Sequence, residues 1–535
     1  MTFLPVVERE LRVAVRHRSA FWVRLVSAGG AVLCAFAFLI LWPPFGSALQ
    51  SGRELFVPLA WLAFCLCVVA GPILTCDTIS AEKREGTLGL LFLTDLHGMD
   101  VVLGKLVAAS VTSVFALLAV VPVMAIPILL GGVQLGDLVC TALVLGNTLF
   151  LSLALGILMS ALCVQWRSAL ALTGFVLFLI VVVATAMAPG SFTTQTENLL
   201  QQAAQIISPV WAMTLAGNYQ TAPVAYWVSV VSTQAMAWMA LAVAGWVTAR
   251  AWREPSGWIG RIVRRRLWHD WYYGSPEARR RLRALLDTDP IGWLRWRHRL
   301  KRRLLWGTVA VALGFWVFIR LRYAYFATGD AVVFLVGIWL LGPIKWLAAS
   351  EATHQLAAEM QSGALELLLT TPISVREVVR GHLRAMDWLL MVPAGAVLMV
   401  QLWMVVFGEG LARAFDARDE TTLGMGIVGI VTALWDIRTI EWVGMWLALK
   451  KRRADRAFAG TVRRILFLPW FVLVAILMGA AFIYQHRPSP PMVWENIPLL
   501  WFIICACTNL YFGLTARHDL LERFRLMASE DYYAR

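Results

Sequence analysis

Three ionisable residues fall inside one long apolar run. Asp436, Arg438 and Glu441 lie within Leu423–Leu449, a stretch otherwise made of Leu, Ile, Val, Met, Ala, Trp, Gly and Thr. Charge in hydrocarbon is costly, so such residues pair with one another or line a polar route. Arg438 and Glu441 are three apart and share a helix face, which lets them pair. Asp436 points elsewhere and is placed to meet another helix. Two uses fit the trio, a pathway lining and a polar clasp, and the sequence leaves both open. The first half of the chain has no comparable charges in its apolar runs.

A second group sits between apolar runs. Glu82 and Glu85 precede Gly86, Thr87 and Leu88, and a Leu-rich stretch runs on to Thr94 and Asp95. Glu359 precedes Gly363, Leu365 and Glu366, and the same kind of stretch ends at Thr371-Pro372. Acidic residues, a glycine and leucines at helical spacing suit a short loop helix. Its leucines could meet a partner surface or lie against the inner ends of neighbouring spans.

Catalytic and metal patterns are missing. The string nearest to a P-loop, Gly98 to Leu106, has five residues between its glycines rather than four and lacks the Ser/Thr that holds magnesium. There is no H-E-x-x-H, no G-x-S-x-G and no Cys/His group at metal spacing. The eight cysteines lie in or beside apolar segments, and Cys65/Cys67 and Cys505/Cys507 lack the C-x-x-C spacing. The expectation is a chain with no enzymatic site, no metal and no bound cofactor of its own.

The elements that carry these residues are set by composition. Of 535 residues, 59% are hydrophobic and 15% charged, against roughly 25% charged in soluble domains. So little polar surface predicts an all-α integral membrane protein. Runs of about twenty apolar residues predict about twelve transmembrane helices. In the first half they lie near Phe21–Trp42, Phe56–Cys76, Leu106–Leu130, Leu138–Val164, Ala169–Met187 and Val224–Thr248. In the second they lie near Leu304–Ile319, Val332–Ala349, Trp388–Val406, Leu423–Leu449, Ile465–Tyr484 and Met492–Leu514. Lys345 and Asp387 sit at the ends of two of these runs. The first run is too long for a cleaved leader and is expected to remain as an anchor.

Basic residues set the orientation. Arg53 is the sole Lys or Arg between Arg24 and Lys83, and Arg167 the sole one between Lys105 and Arg250, whereas Arg250–Arg303 holds sixteen. The positive-inside rule then places both termini and the basic run in the cytoplasm. The net charge of +14 reads as contact with anionic lipid, and nucleic acid is not expected as a partner. Three regions follow: 1–249 as a first transmembrane half, 250–289 as a basic linker, and 290–535 as a second half.

The halves repeat one another. From Glu82 to Leu106 and from Glu359 to Leu383 the chain aligns without a gap. Gly86, Leu88, Leu90, Leu91, Thr94, Val101, Val102, Gly104 and Leu106 recur as Gly363, Leu365, Leu367, Leu368, Thr371, Val378, Val379, Gly381 and Leu383. Gly71-Pro72-Ile73 recurs as Gly342-Pro343-Ile344. The reading is two parallel six-helix repeats, an arrangement that commonly puts a pathway at the repeat interface. Each half opens with an amphipathic stretch, around Leu4–Arg16 and around Pro290–Leu294. An interfacial helix and a plain basic flank both fit there.

At EKREGTLGLLFLTDL and SGALELLLTTPIS the sequence resembles the permeases of ATP-binding-cassette (ABC) transporters of the type-2 export class. The first copy departs from the family pattern at Gly89 and at Asp95-Leu96. Asp436 followed by Trp442-Val443-Gly444-Met445-Trp446 is similar to a string in fused, double-length members. The resemblance implies an export permease in a bacterial inner membrane, without a nucleotide-binding domain. Loops at Glu82, Glu85, Gly86, Leu88 and Thr94, and at Glu359, Gly363, Leu365, Glu366, Thr371 and Pro372, would seat in two copies of a cytoplasmic ATPase subunit that holds ATP and magnesium. A membrane scaffold or a lipid-modifying membrane enzyme is the alternative from another class.

Overall fold

Long apolar stretches in lipid must satisfy their backbone hydrogen bonds internally, and a helix does so within one segment. The structure, a computed structural model, describes residues 8, 19–41, 48–93, 96–183, 205–217, 222–251, 305–307, 309–310, 313–314, 330–407, 420–484 and 497–529. Every regular element among them is helical. Seven of these helices are long and apolar enough to cross a membrane: Gly52–Glu85, Gly98–Leu129, Leu135–Leu162, Pro223–Arg250, Val375–Val400, Ala454–Leu477 and Leu499–Glu522. Large apolar side chains also remain on the outside, among them Phe36, Leu118, Val231, Val392, Phe471 and Ile503. An exterior of that kind suits lipid. The protein is an all-α, multi-pass membrane protein.

The chain divides into two units, Met1–Trp258 and Ile259–Arg535. In the first, α1 is Ser19–Leu41, α2 Ala48–Thr75, α3 Thr78–Glu85, α4 Leu88–Leu91, α5 Gly98–Met124 and α6 Ile126–Leu129. They are followed by α7 Leu135–Leu162, α8 Trp166–Phe178 with a π turn at Leu179–Val183, α9 Pro209–Ala216 and α10 Pro223–Ala251. In the second unit, α11 is Asp330–Gln361, α12 Ala364–Thr370, α13 Val375–Phe407 and α14 Glu420–Lys451. Then come α15 Ala454–Val462 with a π turn at Arg463–Phe467, α16 Leu468–Tyr484, α17 Ile497–Glu522 and α18 Phe524–Ser529. The amphipathic stretches expected before each half, and the linker beyond Ala251, lie outside the described residues apart from Glu8.

In each unit three long helices run parallel and form the core. In the first unit the Gly71 N–H of α2 donates to Ser152 Oγ of α7 at 2.9 Å, and the Ile79 and Ser80 amides just beyond it donate to Ser160 Oγ at 3.0 Å. The contacts advance along both helices together. Tyr226 OH of α10 donates to Cys140 O of α7 at 2.8 Å, and Asn147 Nδ2 of α7 donates to Val230 O of α10 at 2.9 Å. In the second unit Lys345 of α11 meets Asp436 of α14, and Gln361 Nε2 meets Arg452 O at 3.2 Å. Asn509 and then Asp519 of α17 meet Asp436 and then Trp446 of α14.

Gly71 shows how close this packing is. A Cβ there would sit 2.1–2.2 Å from Ser152 backbone and side-chain atoms, so only glycine allows the approach. Gly342, its partner in the repeated Gly-Pro-Ile triplet, has nothing within 4 Å of its Cβ position. The triplets are not equivalent in space, because Gly71 stands eleven residues before Glu82 and Gly342 seventeen before Glu359.

Candidate functional site

The two repeated loops share their turn glycine and their helix-start cap at aligned positions. Helix α3 ends at Gly86, with φ +73°, and α12 follows Gly363, with φ +72°. Both sites demand the left-handed conformation that favours glycine. Each following helix starts on the same device. The His97 amide donates to Asp100 Oδ2 at 2.9 Å, and the Ser374 amide donates to Glu377 Oε2 at 2.8 Å. These side chains satisfy backbone donors that a helix start leaves open.

A buried polar clasp recurs beneath each loop. Lys105 Nζ of α5 donates to Glu82 Oε1 at 3.0 Å, and Thr87 Oγ1 donates to the same carboxylate. At the aligned positions His382 Nε2 of α13 lies 3.0 Å from Glu359 Oε2, while its Nδ1 lies 3.0 Å from Val378 O. Both ring nitrogens face acceptors, an arrangement satisfied when both carry protons. Each clasp ties the helix before the loop to the helix after it.

Burial sorts the loop residues by role. Leu88 and Leu365 are 4% and 2% exposed, and Val101, Val102, Val378 and Val379 are buried with them. Of the two uses open to the leucines, Leu88 and Leu365 take the inward one, each turned into its own unit. Glu82 is buried in its clasp, and Glu359 is half-buried. Leu90 and Leu367, which align with each other, are 63% and 72% exposed, and Leu93 is also exposed. Around them Glu85, Gly86, Glu366, Thr371 and Pro372 lie on the outer surface, and Gly363 is half-buried. Thr94 and Asp95 lie outside the described residues.

The charges of α14 form two separate groups. Asp436 accepts from Lys345 Nζ of α11 at 2.6 Å and from Asn509 Nδ2 of α17 at 2.7 Å, one polar layer across the three parallel helices. Arg438 donates to Glu441 Oε2 at 3.1 Å and also to Asp387 of α13. Lys345 and Asp387, which lower the hydropathy of their own runs, are thus the partners of Asp436 and Arg438. Lys105 and His382 escaped the sequence reading as well, although the gapless alignment sets these two basic residues opposite each other. Among the described residues no group of three or more His, Cys, Asp or Glu is arranged to hold a metal ion.

The clasp under the first loop makes a stability prediction. Lys105 and Glu82 side chains are 6% and 9% exposed, and removing one partner of a buried pair strands the other. Lys105→Met is expected to destabilise the first unit by about 3–5 kcal/mol. The double variant Lys105→Met/Glu82→Leu is expected to recover much of that, because no charge remains buried. Thermal unfolding in detergent checks this, and a double variant no better than the single would remove the pair from the account.

No known protein-family profile matches the chain, and no curated protein matches it in sequence.

Proposed function

We propose that the chain is the membrane-spanning permease subunit of an ABC transporter, of the type-2 export class and of fused, double-length form. It would provide the substrate pathway, and separate cytoplasmic ATPase subunits would hold ATP and magnesium. The observation that carries this reading is the pair of matched loops. Each has a buried clasp, a left-handed glycine, a capped following helix and one exposed leucine at the same aligned position. Two copies of one surface suit two copies of one partner.

The parallel core helices support twelve spans as two six-helix repeats. Two helices that run the same way through a bilayer need an odd number of crossings between them. Helix α5 supplies the crossing between α2 and α7, and α8 with its π turn supplies the one between α7 and α10. Helices α13 and α16 do the same between α11, α14 and α17. That accounts for ten crossings. Helix α1 and the apolar run Leu304–Ile319, which is read from the sequence and lies largely outside the described residues, would complete the two sets of six. In this arrangement both termini would lie on the side of the matched loops, which the positive-inside rule reads as the cytoplasmic side; the bacterial inner membrane is what the family resemblance implies.

The test is a pull-down of the tagged chain from its host in mild detergent. A P-loop ATPase recovered at about two copies per chain is the expected result. No ATPase, under conditions that keep another ABC transporter intact, would favour a scaffold or a lipid-modifying enzyme.

A further inference from the structure

Among the described residues, the group at Asp387, Arg438 and Glu441 is one positive charge short. It holds two carboxylates and one guanidinium. The neighbouring Lys345–Asp436 pair is balanced by itself, so it has no charge to lend. Glu441 is fully buried, at 0% exposure. Its Oε2 accepts from Arg438, while its Oε1 is buried without any hydrogen-bond partner. A bare carboxylate oxygen in an apolar interior is among the most costly arrangements a protein can hold. An added proton removes the excess charge and leaves a neutral acid whose burial costs far less.

We propose that Glu441 is a membrane-embedded proton-binding site, occupied at neutral pH, with Asp387 and Arg438 as the groups that set its occupancy. The proton adds to the carboxylate as an O–H bond and comes from water. The route for water is at Arg438 and Asp387, whose side chains are 48% and 25% exposed. Arg438 is thirteen residues from the end of α14, roughly 20 Å along the axis. A half-exposed ion pair at that depth faces water or protein, since lipid would not solvate it. With Glu441 neutral, the Arg438 charge is committed to Asp387 and ties α14 to α13. With Glu441 ionised, the two carboxylates compete for one guanidinium.

Around α14 the other charged groups are these: on α13, Arg376, Glu377, Arg380 and Arg384 are exposed and His382 lies against Glu359; in α15 and its π turn, Asp455, Arg456 and Arg463 are exposed and Arg464 is half-buried. On α11, Lys345 is held by Asp436, and Glu351 accepts from Gln355 at 2.6 Å; His354 lies one turn further along. On α17, Arg517 lies 6.0 Å from the centre of the Trp442 ring, and Asp519 accepts from Trp446 at 2.9 Å. The aligned core of the first unit carries no charges of this kind, so one such site is expected per chain. Nothing in this charge balance depends on what the chain transports.

The full-length chain in lipid nanodiscs, as wild type, Glu441→Gln and Asp387→Asn, tests this by infrared spectroscopy in H2O and D2O at neutral pH. The wild type is expected to show the C=O stretch of a protonated carboxyl, sensitive to deuterium. Glu441→Gln removes that acid, and Asp387→Asn removes the excess charge that holds the proton, so both variants are expected to lose the band. Absence of the band from the wild type, or its persistence in either variant, overturns the proposal. If Glu441→Gln does not accumulate, Asp387→Asn against wild type still decides.

Discussion

Gly71→Ala is expected to collapse the yield of folded protein, while Gly342→Ala leaves it unchanged. The two glycines open the same Gly-Pro-Ile triplet, so sequence similarity alone would predict equal effects. Space predicts otherwise. An added Cβ at Gly71 falls 2.1 Å from Ser152 O and 2.2 Å from its carbonyl carbon, both backbone atoms of α7. No rotamer change relieves a clash with backbone, so α2 and α7 must separate. Separation breaks the Gly71 amide bond to Ser152 and opens the core between two helices that pack along their length. Overpacking costs about 1–3 kcal/mol even where side chains can give, and here they cannot. At Gly342 the new methyl meets nothing within 4 Å. Monodisperse yield and thermal midpoint measure the difference, and equal values for the two variants would show that α2 and α7 do not approach in this way.

If the matched loops seat in ATPase subunits as proposed, Leu90→Glu together with Leu367→Glu is expected to abolish that association while leaving membrane insertion intact. Both leucines are exposed in the present chain, and neither is needed to hold its loop, since Leu88 and Leu365 do that from inside. An apolar anchor at the centre of an interface is worth about 2 kcal/mol, roughly thirty-fold in affinity. Each single variant is expected to weaken one of two contacts, and the double variant both. Quantitative co-purification reads this out. Retention of the ATPase at wild-type levels by the double variant would place the contact elsewhere.

The fold class was legible because lipid simplifies the code: apolar runs of sufficient length have one regular solution, the helix. The loops were legible because glycines, threonines and acids do not coincide by apolar composition. Geometry behind the match was less so. Leu88 and Leu90 are two residues apart in one Leu-rich string, yet one is buried and the other exposed, and only the path of the chain after Gly86 decides which. The partners of α14 were hidden for a different reason. Lys345, Asp387 and Asn509 come from three other helices, and pairing across helices leaves no spacing to read. The Gly-Pro-Ile triplets stand at unequal distances from the loops, and Gly71 is packed tightly where Gly342 is open.

Parallel helices bring an electrical consequence. Each helix carries a partial negative charge at its last carbonyls, and three aligned helices place three such ends side by side. The chain meets this with cations seated at the carbonyls themselves. Lys83 donates to Ala161 O and Arg84 to Val164 O at 3.3 Å, both at the end of α7. Arg452 donates to Ala528 O at 3.2 Å near the end of α18, and Arg250, Lys450 and Lys451 stand in the last turns of α10 and α14. The lysines and arginines from which the positive-inside rule reads orientation are therefore also counter-ions of the bundle. Removing them would loosen the packing of the core as well as blur its orientation.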